Sequence, residues 1–95
     1  MKTLLLSSVL AFSTIVGAQA FEPFPQLFPE FDVPAQCKVD RDPAYCITTQ
    51  YLNRGLAVSR WTHLSPAVQV ECIEAAKVGG NTYRALYSCI DAHRN

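Results

Sequence analysis

The chain has 95 residues, of which 49% are apolar and 17% are charged, and its formal net charge is zero. This length allows one domain, and the composition excludes both a charge-rich disordered chain and a collagen-like chain. The sequence has no run of Lys and Arg interleaved with aromatic residues. We therefore expect no nucleic-acid partner.

The first twenty residues have the layout of a secretory signal peptide. Lys2 precedes an apolar stretch from Leu4 to Val16, and Ala18-Gln19-Ala20 supplies the small residues that signal peptidase requires. The apolar stretch is shorter than the roughly 20 residues that a membrane-spanning helix needs. We predict that residues 1–20 are removed after Ala20, and we expect no stable membrane span after that cleavage.

All four cysteines lie beyond the predicted cleavage point. Export and an even number of cysteines together indicate an oxidising compartment and a disulfide framework. We therefore expect a periplasmic or secreted protein in which Cys37, Cys46, Cys72 and Cys89 all form disulfides.

Residues 21–41 are predicted to form an arm and linker. Four of the six prolines and four of the five phenylalanines fall within residues 21–36. Proline disfavours both a helix and a central strand, so an extended, partly polyproline II arm is predicted. The rings either dock on the helical domain, because a Phe side chain left in water costs about 1.5–3 kcal/mol, or contact a partner or a membrane surface. The rings concerned are Phe21, Phe24, Phe28 and Phe31.

Residues 42–95 are predicted to form a helical domain with three helices. Each helix has cap signals: Asp42, Ser65 or Asn81 stands before it, proline opens two of them, and Gly79-Gly80 follows the second. No alternating strand pattern competes. The sequence therefore predicts an all-α fold, a small three-helix bundle that is stapled by disulfides and preceded by the extended arm. The predicted ranges are Asp42 to about Trp61, Ala67 to Val78, and about Thr82 to His93.

Several aromatic residues are assigned to the core. In the third helix the apolar residues follow the spacing of one buried stripe, which consists of Tyr83, Leu86, Tyr87 and Ile90. Trp61 is expected to close the core at the end of the first helix, and a partly exposed Trp61 acting as a binding anchor is the alternative. Tyr45, Tyr51, Tyr83 and Tyr87 are expected mostly in the core, with their hydroxyls at its rim.

Four cysteines allow three pairings. A hairpin that turns near Gly80 places Cys72 and Cys89 at nearly the same height, within reach of a bridge. The favoured set is therefore Cys37–Cys46 with Cys72–Cys89. Cys46–Cys89 with Cys37–Cys72 is the second choice, and Cys37–Cys89 with Cys46–Cys72 is the third. Each bridge is expected to contribute about 2–4 kcal/mol to stability.

The sequence gives little indication of catalysis, since it contains neither an H-E-x-x-H nor a G-x-S-x-G motif. Asp40 and Asp42 are interpreted as a turn and a helix cap rather than as a glycosidase pair. Cys72, Cys89 and His93 could be drawn as a zinc site, but an exported chain favours oxidised cysteines. We expect no metal, no cofactor and no enzymatic activity.

From Trp61 onward the chain reads W-(x7)-Q-x-x-C-(x6)-G-G-x-x-Y-x-x-L-x-x-C-I. With Tyr45-Cys46 and Gln50 upstream, this pattern resembles a group of small exported proteins of rhizobia and related alphaproteobacteria. The resemblance covers roughly residues 45–90 and leaves out the arm. That group has no assigned activity, so the resemblance implies a periplasmic or secreted bacterial protein and adds no catalytic residue.

Together these features predict a small exported non-enzymatic protein that binds an unknown protein or an envelope surface. The alternative is a secreted effector or inhibitor that acts on a host or competitor protein. The candidate partner-binding residues are Phe21, Phe24, Phe28, Phe31 and Trp61.

Overall fold

The structure is a computed structural model that describes residues 23–94. The described part of the chain is all-helical, with no strands, so the predicted fold class is confirmed. The predicted signal peptide and Phe21 lie outside the described residues. The helices are α1 (Val33–Cys37), α2 (Pro43–Trp61), α3 (Pro66–Val78) and α4 (Tyr83–Ala92).

Helix α1 lies within the segment that was predicted to be extended. The Asp32 side chain accepts a hydrogen bond from the N–H of Ala35 at 3.1 Å, and Pro34 stands in the first turn, where a missing N–H costs nothing. Val33 and Cys37, one turn apart, are both fully buried. The prediction of an extended chain was wrong over residues 33–36, because a proline at a helix start does not oppose the helix.

Helices α2 and α3 begin where the cap signals place them. The Asp42 carboxylate accepts from the N–H of Tyr45 at 3.1 Å, and the Ser65 hydroxyl accepts from the N–H of Val68 at 3.3 Å. Each cap satisfies one of the N–H groups that the first turn leaves without an intrahelical partner.

The turn between α3 and α4 is a Schellman motif. The N–H of Asn81 donates to the Ala76 carbonyl at 2.7 Å and the N–H of Gly80 donates to the Lys77 carbonyl at 3.1 Å, with Gly80 at φ +85°. Asn81 also has a positive φ, of 60°, and so belongs to the turn. The predicted cap at Asn81 is therefore wrong, because Thr82 is the N-cap of α4.

The core is centred on α4, which packs against both α2 and α3. Of its predicted stripe, Tyr83, Leu86 and Ile90 are buried, and Tyr87 is half-buried. Tyr45 and Tyr51 were expected mostly in the core, but they are 67% and 50% exposed. The buried apolar residues are Val33, Cys37, Ala57, Trp61, Cys72, Ala76, Tyr83, Leu86 and Ile90.

Two disulfides join Cys37 to Cys46 and Cys72 to Cys89, with Cα atoms 5.5 and 5.4 Å apart. The favoured pairing is confirmed. The first bridge ties α1 to the first turn of α2, and the second ties α3 to α4.

Candidate functional site

The proline-rich arm before α1 is held by side chains that bond its backbone. At Gln26, the N–H donates to Gln69 Oε1 at 2.8 Å and the carbonyl accepts from Trp61 Nε1 at 2.8 Å. Gln69 Nε2 in turn donates to the Trp61 carbonyl at 2.9 Å. Gln69 is only 4% exposed, so this buried amide uses both its donor and its acceptor to join the arm to α2 and α3.

Tyr83 bonds the arm one step further along the chain. Its hydroxyl accepts from the N–H of Phe31 at 2.9 Å and donates to the carbonyl of Pro29 at 3.0 Å. The N–H of Tyr83 itself donates to Gln50 Oε1 at 2.9 Å. Gln50 thus satisfies a free N–H at the start of α4 from its position on α2.

Four aromatic rings form the contact between the arm and the helices. Phe28 meets Trp61 edge-on, with ring centroids 5.4 Å apart, and stacks on Tyr83 at 5.8 Å. Phe31 lies tilted against Tyr83 at 4.7 Å. The edge-on and stacked arrangements of Phe28 are among those that aromatic pairs prefer. The arm therefore contributes to the hydrophobic core.

Arg54 covers this aromatic contact. Its guanidinium lies 5.4 Å from the centre of the Phe28 ring and 5.8 Å from that of Tyr83, and it donates to Glu30 Oε2 at 2.9 Å. The neighbouring Tyr83 and the Glu30 carboxylate raise the pKa of Arg54 above its usual value. Through this ion pair the arginine connects α2 to the arm.

The candidate partner-binding residues divide into two sets. Phe28 and Phe31 pack against the core and Trp61 is 4% exposed, so these three rings have their contacts within the chain. Phe24 is 83% exposed, as is the nearby Leu27 at 91%. Phe28 and Phe31 therefore dock on the helices, as the first of the two alternatives predicted. Phe24 is presented to solvent.

Helix α2 has an exposed face without charge. Its two charged residues, Arg54 and Arg60, are half-buried, and every exposed residue between Pro43 and Ser59 is uncharged. A surface helix of a soluble protein usually carries charged side chains on its solvent face. We call this surface the α2 outer face. Its exposed residues are Pro43, Ala44, Tyr45, Thr48, Tyr51, Leu52, Gly55, Leu56, Val58 and Ser59.

Two open depressions lie on the surface of the described residues. A groove of about 380 Å³ beside the Cys37–Cys46 bridge is lined by residues of α1 and of the start of α2. A second depression, of about 250 Å³, is lined by Tyr45, Thr49, Asn53 and Arg84. Neither lining pairs a nucleophile with a base, which nucleophilic catalysis would require.

The residues of the zinc hypothesis do lie together at one corner of the α3–α4 hairpin. The sulfurs of Cys72 and Cys89 and a ring nitrogen of His93 all lie within 4.8 Å of one another. The two sulfurs are joined as a disulfide, and His93 Nε2 lies 3.0 Å from Glu71 Oε2.

Sequence reasoning missed the roles of Gln69 and Gln50, which entered it only as positions in a pattern. Both stand among apolar helical residues, and that context is the signal that each amide has a specific partner. The α2 outer face was also missed. Its signal is the absence of any charged residue from Pro43 to Asn53.

Among the helices of residues 23–94, none is long and apolar enough to cross a membrane. The two disulfides are compatible with an extracellular or periplasmic protein. Comparison with protein-family models, with curated protein sequences and with solved structures gave no match.

Proposed function

We propose that this chain is a small exported, non-enzymatic protein that binds another protein through the α2 outer face. The single observation that carries the proposal is the absence of charge from every exposed residue of α2. Protein interfaces lack charged residues at their centres and are rich in aromatic and large apolar side chains. Tyr45, Tyr51, Leu52 and Leu56 have this character, and they are 43–67% exposed.

The length of the face defines the kind of partner. Helix α2 has 19 residues, so it is about 28 Å long at 1.5 Å per residue. A single helix or a shallow groove of an apolar, uncharged protein surface fits such a face. A nucleic-acid partner does not fit, because phosphate contacts need Lys or Arg side chains.

The docked arm supports the proposal indirectly. It covers the aromatic end of α2 at Trp61 but leaves Leu52 and Leu56 exposed. The chain thus uses its own phenylalanines to fill the core at one end of the helix and leaves the outer face uncovered. Predicted export and the two disulfides favour a partner outside the cytoplasm.

A site-specific photocrosslinker tests the proposal in cells of the producing organism. Benzoylphenylalanine at Leu56 is expected to give a discrete adduct, and Leu52→Lys in the same chain is expected to reduce that adduct at least tenfold. Since Leu52 is 63% exposed, the substitution is expected to change the free energy of unfolding by no more than about 0.5 kcal/mol.

Two matched positions complete the experiment. Val78 at the end of α3 is 91% exposed. The crosslinker placed at Val78 is the control for nonspecific crosslinking, and Val78→Lys is the control for the loss of any exposed apolar side chain. Leu27 on the arm is also 91% exposed, and Leu27→Lys tests the arm instead. Loss of the adduct with Leu27→Lys and not with Leu52→Lys would place the binding surface on the arm and reject the proposal.

A further inference from the structure

The Cys72–Cys89 bridge differs from the other disulfide because a third metal-ligating side chain lies beside it. His93 stands four residues after Cys89, at the C-cap of α4, and its ring nitrogen and the two sulfurs lie within 4.8 Å of one another. No such group surrounds Cys37–Cys46 among residues 23–94. The two bridges have similar Cα–Cα distances, of 5.5 and 5.4 Å. They differ in the side chains beside them, not in backbone geometry.

The histidine is already oriented. Its Nε2 lies 3.0 Å from Glu71 Oε2, and the His93 side chain is 33% exposed. A histidine that binds a metal almost always donates its other ring N–H to a carboxylate or a carbonyl. Glu71 supplies that carboxylate to Nε2, so Nδ1 is the ring nitrogen that would bind the ion.

A tetrahedral ion needs the two sulfurs to separate. They are now bonded to each other, and both lie within 4.8 Å of a ring nitrogen of His93. Zinc–sulfur bonds of about 2.3 Å place two ligand sulfurs about 3.8 Å apart in a tetrahedral site, so the sulfurs must move apart once reduction has broken the bridge.

The hairpin has other contacts that keep α3 and α4 together without the bridge. Ala76, Leu86 and Ile90 are fully buried in the core, and the Schellman turn holds the connection. The two cysteines and the histidine would therefore stay close together in the reduced protein.

We propose that reduction of Cys72–Cys89 creates a binding site for Zn²⁺, with Cys72 Sγ, Cys89 Sγ and a ring nitrogen of His93 as ligands. A dithiol is the reductant. It gives two electrons and two protons to the bridge, the S–S bond breaks to leave two thiols, and the dithiol becomes a disulfide. Zinc then binds two thiolates, and two protons are released to solvent.

Glu71 acts as the positioning residue of this site and holds the imidazole in place. The site is separate from the α2 outer face and does not depend on the proposed function. The proposal departs from the sequence-based expectation of no metal, because the two sulfurs become ligands only after the bridge opens.

Cobalt(II) alone is the probe, added anaerobically to the full chain after reduction with a phosphine. The variant Cys37→Ser/Cys46→Ser removes the other pair of thiols. We expect one cobalt per chain with thiolate-to-cobalt charge-transfer and tetrahedral d–d bands, which zinc abolishes. Glu71→Gln should weaken binding by about 10–100-fold and His93→Ala by more, while Glu74→Gln, an exposed glutamate on the same helix, should leave it unchanged.

The unsubstituted chain with four thiols is measured in parallel, so the result does not depend on the folding of the double variant. The complementary variant Cys72→Ser/Cys89→Ser keeps the other pair and should give no tetrahedral bands. Bands of equal strength in both double variants, or cobalt affinity that is unchanged by His93→Ala in the four-thiol chain, would overturn the proposal. Binding to the oxidised protein would overturn it as well.

Discussion

The hydroxyl of Tyr83 accepts a hydrogen bond from the backbone N–H of Phe31, at 2.9 Å and across 52 residues of chain. The same oxygen donates to Pro29, so one side chain on α4 satisfies two backbone groups of the arm. Residues 23–32 of the arm form neither helix nor strand, so their buried backbone groups need side-chain partners instead. Tyr83, Trp61 and Gln69 provide them.

Tyr83→Phe is expected to release this part of the arm. The substitution leaves the Phe31 N–H and the Pro29 carbonyl without their partner, which costs about 1–3 kcal/mol. Urea denaturation measures the loss, and hydrogen exchange at Phe31 should become faster. Tyr87→Phe is the matched control on the same helix, because Tyr87 is half-buried and takes no part in the hydrogen bonds of Tyr83 to the arm. Equal losses in the two variants would contradict the prediction.

Gln69→Glu is expected to make stability depend on pH. The carboxylate still accepts from Gln26 but faces the Trp61 carbonyl, to which only the protonated form can donate. Burial then raises the carboxyl pKa in the folded state above its unfolded value of about 4.3. The stabilising contribution of protonation is complete below the unfolded pKa. It is lost as the pH rises through the folded pKa. At pH 7 the variant should therefore lose about 2 kcal/mol or more of its free energy of unfolding. The loss at pH 4 should be smaller, and denaturation at the two pH values measures both.

Gln50→Glu makes the same chemical change, but its effect on stability is expected to depend on pH in the opposite direction. Gln50 Oε1 accepts from the N–H of Tyr83 at the N-terminus of α4, where a negative charge is favourable by about 0.3–1 kcal/mol. The folded state lowers this carboxyl pKa, so the gain is present above about pH 4.3 and is lost as the pH falls. A parallel pH dependence in the two variants would show that at least one of the two amides lacks the partner described.

Gly79→Ala tests the close approach of α3 and α4. A Cβ at Gly79 would lie 2.5 Å from the Cβ of Ala85, so the substitution should cost about 1–3 kcal/mol by overpacking. Ala85→Gly alone should cost about 1 kcal/mol through lower helix propensity.

The double variant Gly79→Ala/Ala85→Gly moves the methyl group from one helix to the other and relieves the clash. Its loss, measured by thermal unfolding, should be at least 1 kcal/mol smaller than the sum of the single losses. Strict additivity would show that the two residues do not share this contact.

Replacing each cysteine pair by alanine should loosen a different part of the chain. The bridges span 9 and 17 residues, and the chain-entropy relation makes the longer one more stabilising by only about 0.6 kcal/mol, with each contributing about 2–4 kcal/mol. Hydrogen exchange separates them by position. Without Cys37–Cys46 it should become faster in α1, and without Cys72–Cys89 it should become faster in the α3–α4 hairpin. The same exchange pattern in both variants would refute this division.

The helices were predictable because their signals are local. Asp42, Ser65 and the Gly-Gly pair act within a few residues of their own position, and helix geometry then places Cys72 opposite Cys89. The prediction failed where two local signals favoured different backbone conformations. At Val33–Cys37 the prolines indicated an extended chain, whereas the Asp32 cap and the two inward-facing side chains produced a helix.

The surface of α2 was not predictable by the same means. Its apolar residues occupy nearly the whole circumference, so their spacing does not say which side faces the core. Gln50 and Arg54 decide this, through Tyr83 and Glu30 respectively, and these contacts join residues more than twenty positions apart.

The sequence alone determined an all-α chain with two disulfides and helix ends set by caps, since these follow from backbone geometry and neighbouring residues. Only the tertiary structure decided that the arm's Phe28 and Phe31 belong to the core while the α2 outer face remains open. The physical reason is the long range of the contacts that hold the arm. Tyr83 and Gln69 bond the arm's backbone across 43 to 54 residues of chain, and no local sequence signal encodes such contacts.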